Sequence, residues 1–284
     1  MVALVQAPSL LALPAVRHGF TTRGGGCSVG ALAGLNLALR AGEAPDRLRE
    51  NWERAARTLL PEAGAGQVAL LDQVHGGAVL PVEAPTGPLG TLGAADALVT
   101  TRRGVILAVR TADCLPVLLA APGGVAAAHA GWRGVAAGVV PAALRALLAA
   151  TGAAPGEVRV ALGPHATRLE VGPEVGEAFA AAGIPQAAWA VGADPGPAGP
   201  GSQGGASGPG TQGGASGPGT QGGASGPGGK LHVDLAGAVT AQLLACGVEA
   251  VERVAGCTLR EARFYSHRRD GPATGRQAAL IALA

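Results

Sequence analysis

Histidine and cysteine are the scarce reactive groups of this 284-residue sequence: His18, His75, His129, His165, His232 and His267, with Cys27, Cys114, Cys246 and Cys257. Three of them stand where an apolar run meets Gly or Pro. They are His75 in Gln73-Val-His-Gly76, Cys114 in Thr111-Ala-Asp-Cys-Leu-Pro116, and His129 in Ala128-His-Ala-Gly-Trp-Arg-Gly134. Such junctions present side chains from a rigid scaffold into a cleft. Two imidazoles and a thiolate make a zinc set, and three protein ligands leave a fourth position for water or substrate. An ion there lowers the pKa of its bound water to about 7. Asp113, beside Cys114, is placed to orient an imidazole or to carry a proton. The separations fit no local zinc motif, so a second chemistry stays open: Cys114 as nucleophile and His129 as base, without metal.

Anion binding is the other signal. Arg23 and Ser28 flank three glycines in Thr21-Thr-Arg-Gly-Gly-Gly-Cys-Ser28. A Gly-rich turn exposes backbone N–H groups, and Arg adds a two-pronged donor. In a glycine-rich chain, Gly24–Gly26 reads more readily as a plain turn. His267 and Arg268, in His267-Arg-Arg-Asp270, and Arg133 are further candidates. The G-x-x-x-x-G-K phosphate loop is absent, and no C-x-x-C occurs for a zinc ribbon or thioredoxin motif.

The elements that must carry these residues alternate. Val68–Leu71, Ala78–Val82, Ala97–Thr100, Val105–Val109, Pro116–Ala120 and Val125–Ala128 read as strands, with Val248–Val254 and Ala278–Leu283 as the last two. Pro116, which donates no hydrogen bond, belongs at a strand start or edge. Leu48, Trp52, Ala55, Ala56, Leu59 and Leu60 have helical spacing, between Asp46 and Pro61. Val135–Ala150 is expected as one helix. Leu235–Cys246 is another, with Asp234 as N-cap and Gly247 beyond its end. The pattern predicts an α/β fold: a single domain with a mixed β-sheet flanked by helices.

One stretch departs from it. Residues 192–229 are Gly, Pro, Ala, Ser, Gln and Thr with the single charge Asp194, and a nine-residue unit starting at Gln203 recurs there. With almost nothing to bury, this segment is expected to be a disordered insertion in a surface loop. It divides one domain into 1–191 and 230–284, the second block being too short for its own core. Net charge is +2, which gives no electrostatic case for nucleic acid. The apolar runs are broken by Pro, Gly and Arg, so no membrane span is expected. The N-terminus, with no Lys or Arg before Arg17, makes a poor signal peptide. A reduced cytoplasmic enzyme without an obligate protein partner is the expectation.

Taken in order, His18-Gly-Phe-Thr-Thr-Arg-Gly-Gly, Leu35-Asn-Leu37, Gln73-Val-His-Gly76, Ala95-Asp-Ala97, Thr111-Ala-Asp-Cys-Leu-Pro116, His129-Ala-Gly-Trp-Arg-Gly134, Leu162-Gly-Pro164, Phe264-Tyr-Ser-His-Arg-Arg-Asp-Gly271 and Thr274-Gly-Arg276 resemble the bacterial YfiH-type family. Its members are labelled laccase-domain or "multicopper polyphenol oxidase" proteins and also purine nucleoside phosphorylases. The likeness runs from about residue 17 to the end and skips the repeat. It implies a fold related to cysteine-hydrolase-like domains and a metal on His75, Cys114 and His129, Zn2+ with Cu2+ as the alternative. It further implies phosphorolysis of adenosine, inosine and S-methyl-5′-thioadenosine, and deamination of adenosine. Purine nucleoside and phosphate would be the bound partners, with Asn36 joining Arg23, Ser28, Arg133, His267 and Arg268 around them. Copper-dependent phenol oxidation and an amide-hydrolysing role on peptidoglycan precursors are the other implied activities. Leu169 stands where the family usually has Tyr. Several copper ions need more imidazoles than six His with no His-x-His pair supply. The H-x-E and P-C-x-x-C of hydrolytic zinc deaminases are absent too.

Overall fold

Residues 277–283, Gln-Ala-Ala-Leu-Ile-Ala-Leu, are buried along their whole length, so the strand they form must be covered on both faces. The computed structural model, which describes residues 2–38, 40, 42–192 and 230–284, shows what covers it. In chain order the first elements are β1 (Leu4–Val5), α1 (Pro8–Leu11), β2 (Val16–Thr21), α2 (Pro45–Leu59), β3 (Val68–Ala69), β4 (Val79–Pro81) and β5 (Ala97–Thr100). Next come β6 (Ile106–Thr111), β7 (Leu115–Ala121), β8 (Gly124–Ala130), α3 (Trp132–Ala136), α4 (Val139–Thr151), β9 (Arg159–Leu162), β10 (Leu169–Val171) and α5 (Pro173–Ala181). The remainder are α6 (Gln186–Trp189), β11 (Ala190–Val191), β12 (Leu231–Val233), α7 (Leu235–Ala245), β13 (Ala250–Arg253), α8 (His267–Asp270) and β14 (Gln277–Leu283).

The strands make two large mixed sheets and a small one, where the sequence suggested a single sheet. One has five strands in the order β1-β2-β14-β6-β3, the other six in the order β13-β9-β7-β8-β5-β4. The third, β10-β12-β11, is antiparallel throughout. Side-chain alternation stacks the two large sheets face to face. Leu107, Val109, Ala279 and Ile281 of one meet Leu118, Ala120 and Ala127 of the other. The opposite parity of the first sheet, Ile106, Ala108, Ala278, Leu280 and Ala282, packs on Leu48, Trp52, Ala55, Ala56 and Leu59 of α2. The outer face of the second sheet, with Val117, Leu119, Ala126 and Ala128, packs on Val140, Leu144 and Leu147 of α4 and on Val239 and Leu243 of α7. The layers therefore run helix, sheet, sheet, helices.

The expected helix over 135–150 is two helices. Gly138 lies between them with φ +72°, a left-handed conformation that Gly adopts at little cost, and it breaks the hydrogen-bond ladder. Pro141 falls in the first turn of α4, where its missing N–H is tolerated. Pro116 is the second residue of β7, opposite His129. Asp234 precedes α7 without a side-chain cap bond and pairs with Arg253 instead. The strands after the repeat join those before it: β12 pairs with β10 and β11, β13 with β9, and β14 lies between β2 and β6. Apart from Gly192, the segment expected to be disordered lies outside the described residues. No helix among the described residues is long and apolar enough to cross a membrane.

Candidate functional site

Cys114 sits where the chain leaves one sheet for the other, on the short link between β6 and β7. The link turns sharply at Asp113, whose φ of +91° is unusual for a residue with a side chain. Two bonds hold that turn: the Asp113 carboxylate accepts from Thr258 Oγ1 at 2.7 Å and from the Arg268 N–H at 2.7 Å. His129 lies one residue before the end of β8, in the strand beside β7. His75 comes from the β3–β4 connection, also with positive φ, +62°.

These three side chains converge. Their ligand atoms lie within 4.8 Å of one another, and Cys114 Sγ is 3.8 Å from His75 Nε2. The imidazoles meet edge to face with ring centroids 4.7 Å apart. A four-coordinate ion with bonds of about 2.0–2.3 Å sets its ligand atoms roughly 3.3–3.8 Å apart, so the donor set fits one zinc-sized ion after small movements. Gly131 provides the room: a Cβ there would lie 2.8 Å from His75 Cδ2 and 3.2 Å from Cys114 Sγ. Burial opposes ionisation of the Cys114 thiol, but His129 and His75 outweigh it and hold the pKa down at about 6. Burial likewise opposes the cationic form of His129, but Cys114 and Asp96 prevail and raise it to about 9.

The carboxylate that meets an imidazole of the trio is Asp96, where the sequence pointed to Asp113. Asp96 is fully buried just before β5 and meets His129 Nδ1 at 2.7 Å. It also accepts the N–H groups of Val74, His75 and Gly76 at 3.2, 3.0 and 2.6 Å. Burial would raise its pKa, yet His129 and the Gly76 and His75 amides hold it below the ordinary aspartate value. Both oxygens of Asp113 are taken up, by the Thr258 hydroxyl and by the Arg268 backbone N–H.

The trio opens into a cavity of about 560 Å3 that Arg133, His267 and Arg268 also line. Three more arginines line it, Arg40, Arg110 and Arg276, which no motif singled out as ligand-binding residues. Arg110 comes from β6, its guanidinium donating to the Leu71 carbonyl at 2.6 Å. Arg276 donates to the carbonyls of Thr274 and Gly275 at 3.0 and 2.9 Å. Burial, then Arg40, lower its pKa to about 10, against the pull of Cys114 and Asp113. Guanidiniums gathered and partly dehydrated in this way suit an anion. Arg23, Ser28 and Asn36 do not line the cavity. Arg23 donates to the Ala33 carbonyl and lies over the Tyr265 ring. Ser28 and Asn36 both donate to the buried Glu43, at 2.5 and 2.7 Å. Leu169 lines the cavity at the position where an aromatic ring was the family expectation.

Fold and site together define an α/β protein of two large sheets and a small third, with a candidate His2Cys metal centre in the lining of an arginine-rich cleft. The sequence profile described as "Multi-copper polyphenol oxidoreductase laccase" matches residues 17–198 and 214–284, and the chain belongs to that family. Relatives named purine nucleoside phosphorylase include one from Deinococcus radiodurans, 37% identical over 99% of this chain and 92% of its own length. Another, from Streptomyces griseus, is 36% identical over 93% of each. Among solved structures, YlmD from Geobacillus stearothermophilus has a TM-score of 0.78 at 29% identity, covering 98% of this chain and 94% of that one. A Neisseria meningitidis protein of family DUF152 has a TM-score of 0.72 at 34% identity, covering 99% and 98%.

The residues present do not fit the several copper ions in the family's description. His129 and His75 are the two imidazoles of the one cluster of three metal-ligand side chains among the described residues. His18 accepts the Ala7 N–H, His165 is bonded to the Gly163 carbonyl, and His232 lies against Glu170.

Proposed function

We propose that this chain is a purine nucleoside phosphorylase working with one zinc ion held by His75, Cys114 and His129. The observation that carries the reading is the convergence, on one cavity of about 560 Å3, of that trio with five arginines. A cavity of this size takes a small organic ligand. Phosphate is the co-substrate that the arginines suit. Arg110 and Arg276 are anchored on backbone carbonyls, so the anion meets donors already in place. Asp113 contributes by fixing the Arg268 backbone.

In the reaction a phosphate oxygen bonds to C1′ of the ribose while the C1′–N9 bond breaks. Its electron pair leaves on the purine, which takes up the proton that phosphate gives up; the products are free base and ribose 1-phosphate, or 5-methylthioribose 1-phosphate where the nucleoside carries the 5′-methylthio group. Holding phosphate and nucleoside in line lowers the barrier by orientation. When bound, the ion supplies Lewis acidity toward charge developing on the leaving base or the ribose hydroxyls. Adenosine, inosine and S-methyl-5′-thioadenosine are the substrates proposed, with deamination of adenosine as a side activity. The test is base release from these nucleosides by zinc-loaded protein, with and without phosphate. Phosphate-dependent release of base with the matching pentose 1-phosphate is expected. Base release that ignores phosphate, or none at all, overturns the proposal.

One observation favours a second reading. Cys114, His129 and Asp96 also form a nucleophile, a base and its orienting acid, the arrangement of a metal-free cysteine hydrolase acting on amides such as a peptidoglycan precursor. Protection of Cys114 from iodoacetamide by zinc supports the first reading. An acyl-enzyme trapped on Cys114 supports the second.

A further inference from the structure

Asp96 is a single buried carboxylate that reaches both histidines of the trio, His129 at its ring and His75 at its backbone N–H. Its Oδ1 lies 2.7 Å from His129 Nδ1 and 3.0 Å from the His75 N–H. Its Oδ2 accepts the N–H groups of Gly76 at 2.6 Å and Val74 at 3.2 Å. Three successive amides directed at one anion form a nest, and His75 at its centre has left-handed backbone geometry. We propose that Asp96 is a positioning residue for the metal centre, fixing at once the backbone pose of His75 and the tautomer of His129. The inference rests on the metal reading above.

The argument is one of donors and acceptors. A carboxylate on Nδ1 keeps the ring proton there, which leaves the Nε2 lone pair free for an ion. The same carboxylate offsets the steric cost of a side chain at positive φ by satisfying three amides at once. Asparagine cannot do both. With its NH2 at the Oδ1 position it would face the His75 N–H and donate to Nδ1, driving the proton to Nε2 and blocking the ligand atom. With the NH2 at the Oδ2 position it would face the N–H groups of Gly76 and Val74, and the His75 turn would lose its support. Either orientation damages the centre although no metal ligand has changed.

The test is zinc affinity, measured by competition with a chromophoric chelator, for the wild-type chain and Asp96→Asn. A 10–100-fold weaker affinity in the variant is expected, the range for losing such an outer partner. A variant that binds as tightly as wild type, even with a lower melting temperature, overturns the inference and leaves the metal reading standing. A wild-type chain that does not bind zinc overturns both. If the variant does not fold, 15N NMR of histidine-labelled, zinc-loaded wild type decides. His129 protonated at Nδ1 with zinc on Nε2 supports the inference; the opposite arrangement overturns it.

Discussion

Gly131 sets how closely the trio can approach, because any Cβ there meets His75 and Cys114 below ordinary contact distance. Gly131→Ala should therefore lose at least tenfold in zinc affinity while its circular dichroism stays native; retained stoichiometric zinc at low concentration would count against the centre. A second prediction concerns pH. His18, 1% exposed, is lowered from 6.5 to about 4 by burial, with Glu252 opposing. The folded pKa is thus the lower one, and the unfolded chain binds the extra proton. Its stabilisation is complete above about pH 6.5 and is lost as pH falls through about 4, up to about 3 kcal/mol. Denaturant midpoints from pH 7 to pH 4 should fall less steeply in His18→Gln. Reactive residues at strand ends next to Gly or Pro made the trio a candidate in the sequence, but separations of 39 and 15 residues fit no local motif, so only the family resemblance joined the three into one set. Asp96 was not legible there, because its partners arrive from two other segments. Its one signal is a carboxylate opening an apolar strand, which must be bonded if buried. Arg23 and Ser28 looked like ligand residues because polar groups that close an internal network are the same types as those that bind anions; Asn36 was implied by the resemblance alone.

At the scale of elements, strand positions were legible from apolar runs between Gly and Pro, and their grouping was not. Strands covered on both faces show no polar side to reveal which layer each parity meets, so two stacked sheets and one covered sheet read alike. Helix α7 shows how close its packing is. A Cβ on Gly237 would come within 1.9 Å of the Ala188 carbonyl oxygen of α6. Alanine favours a helix by about 1 kcal/mol over glycine, yet overpacking costs about 1–3 kcal/mol, and backbone cannot swing aside as a side chain can. Gly237→Ala should therefore lower the melting temperature by several degrees in calorimetry; a rise would show that α6 yields freely.

For the molecule as a whole, the repeat leaves and re-enters through paired strands, Ala190 opposite Val233 and Val191 opposite His232. Joining those ends with a short Asn-Gly turn in place of 193–229 should leave the proposed phosphorolysis unchanged and not lower the melting temperature, since each halving of a loop favours closure by about 0.6 kcal/mol. A clear drop would give the repeat a part in the fold. The sequence marked this segment by composition, and the pairing supplies the reason that one domain can carry it.

The place of β14 between β2 and β6 has a consequence for synthesis. Until residues 277–283 emerge from the ribosome, β2 and β6 wait with their inner edges open. Arg276, immediately ahead of that strand, cannot yet be in the cleft. A nascent chain stalled before this point would offer two templates for intermolecular pairing and an unfinished cleft, a natural client for chaperone or protease.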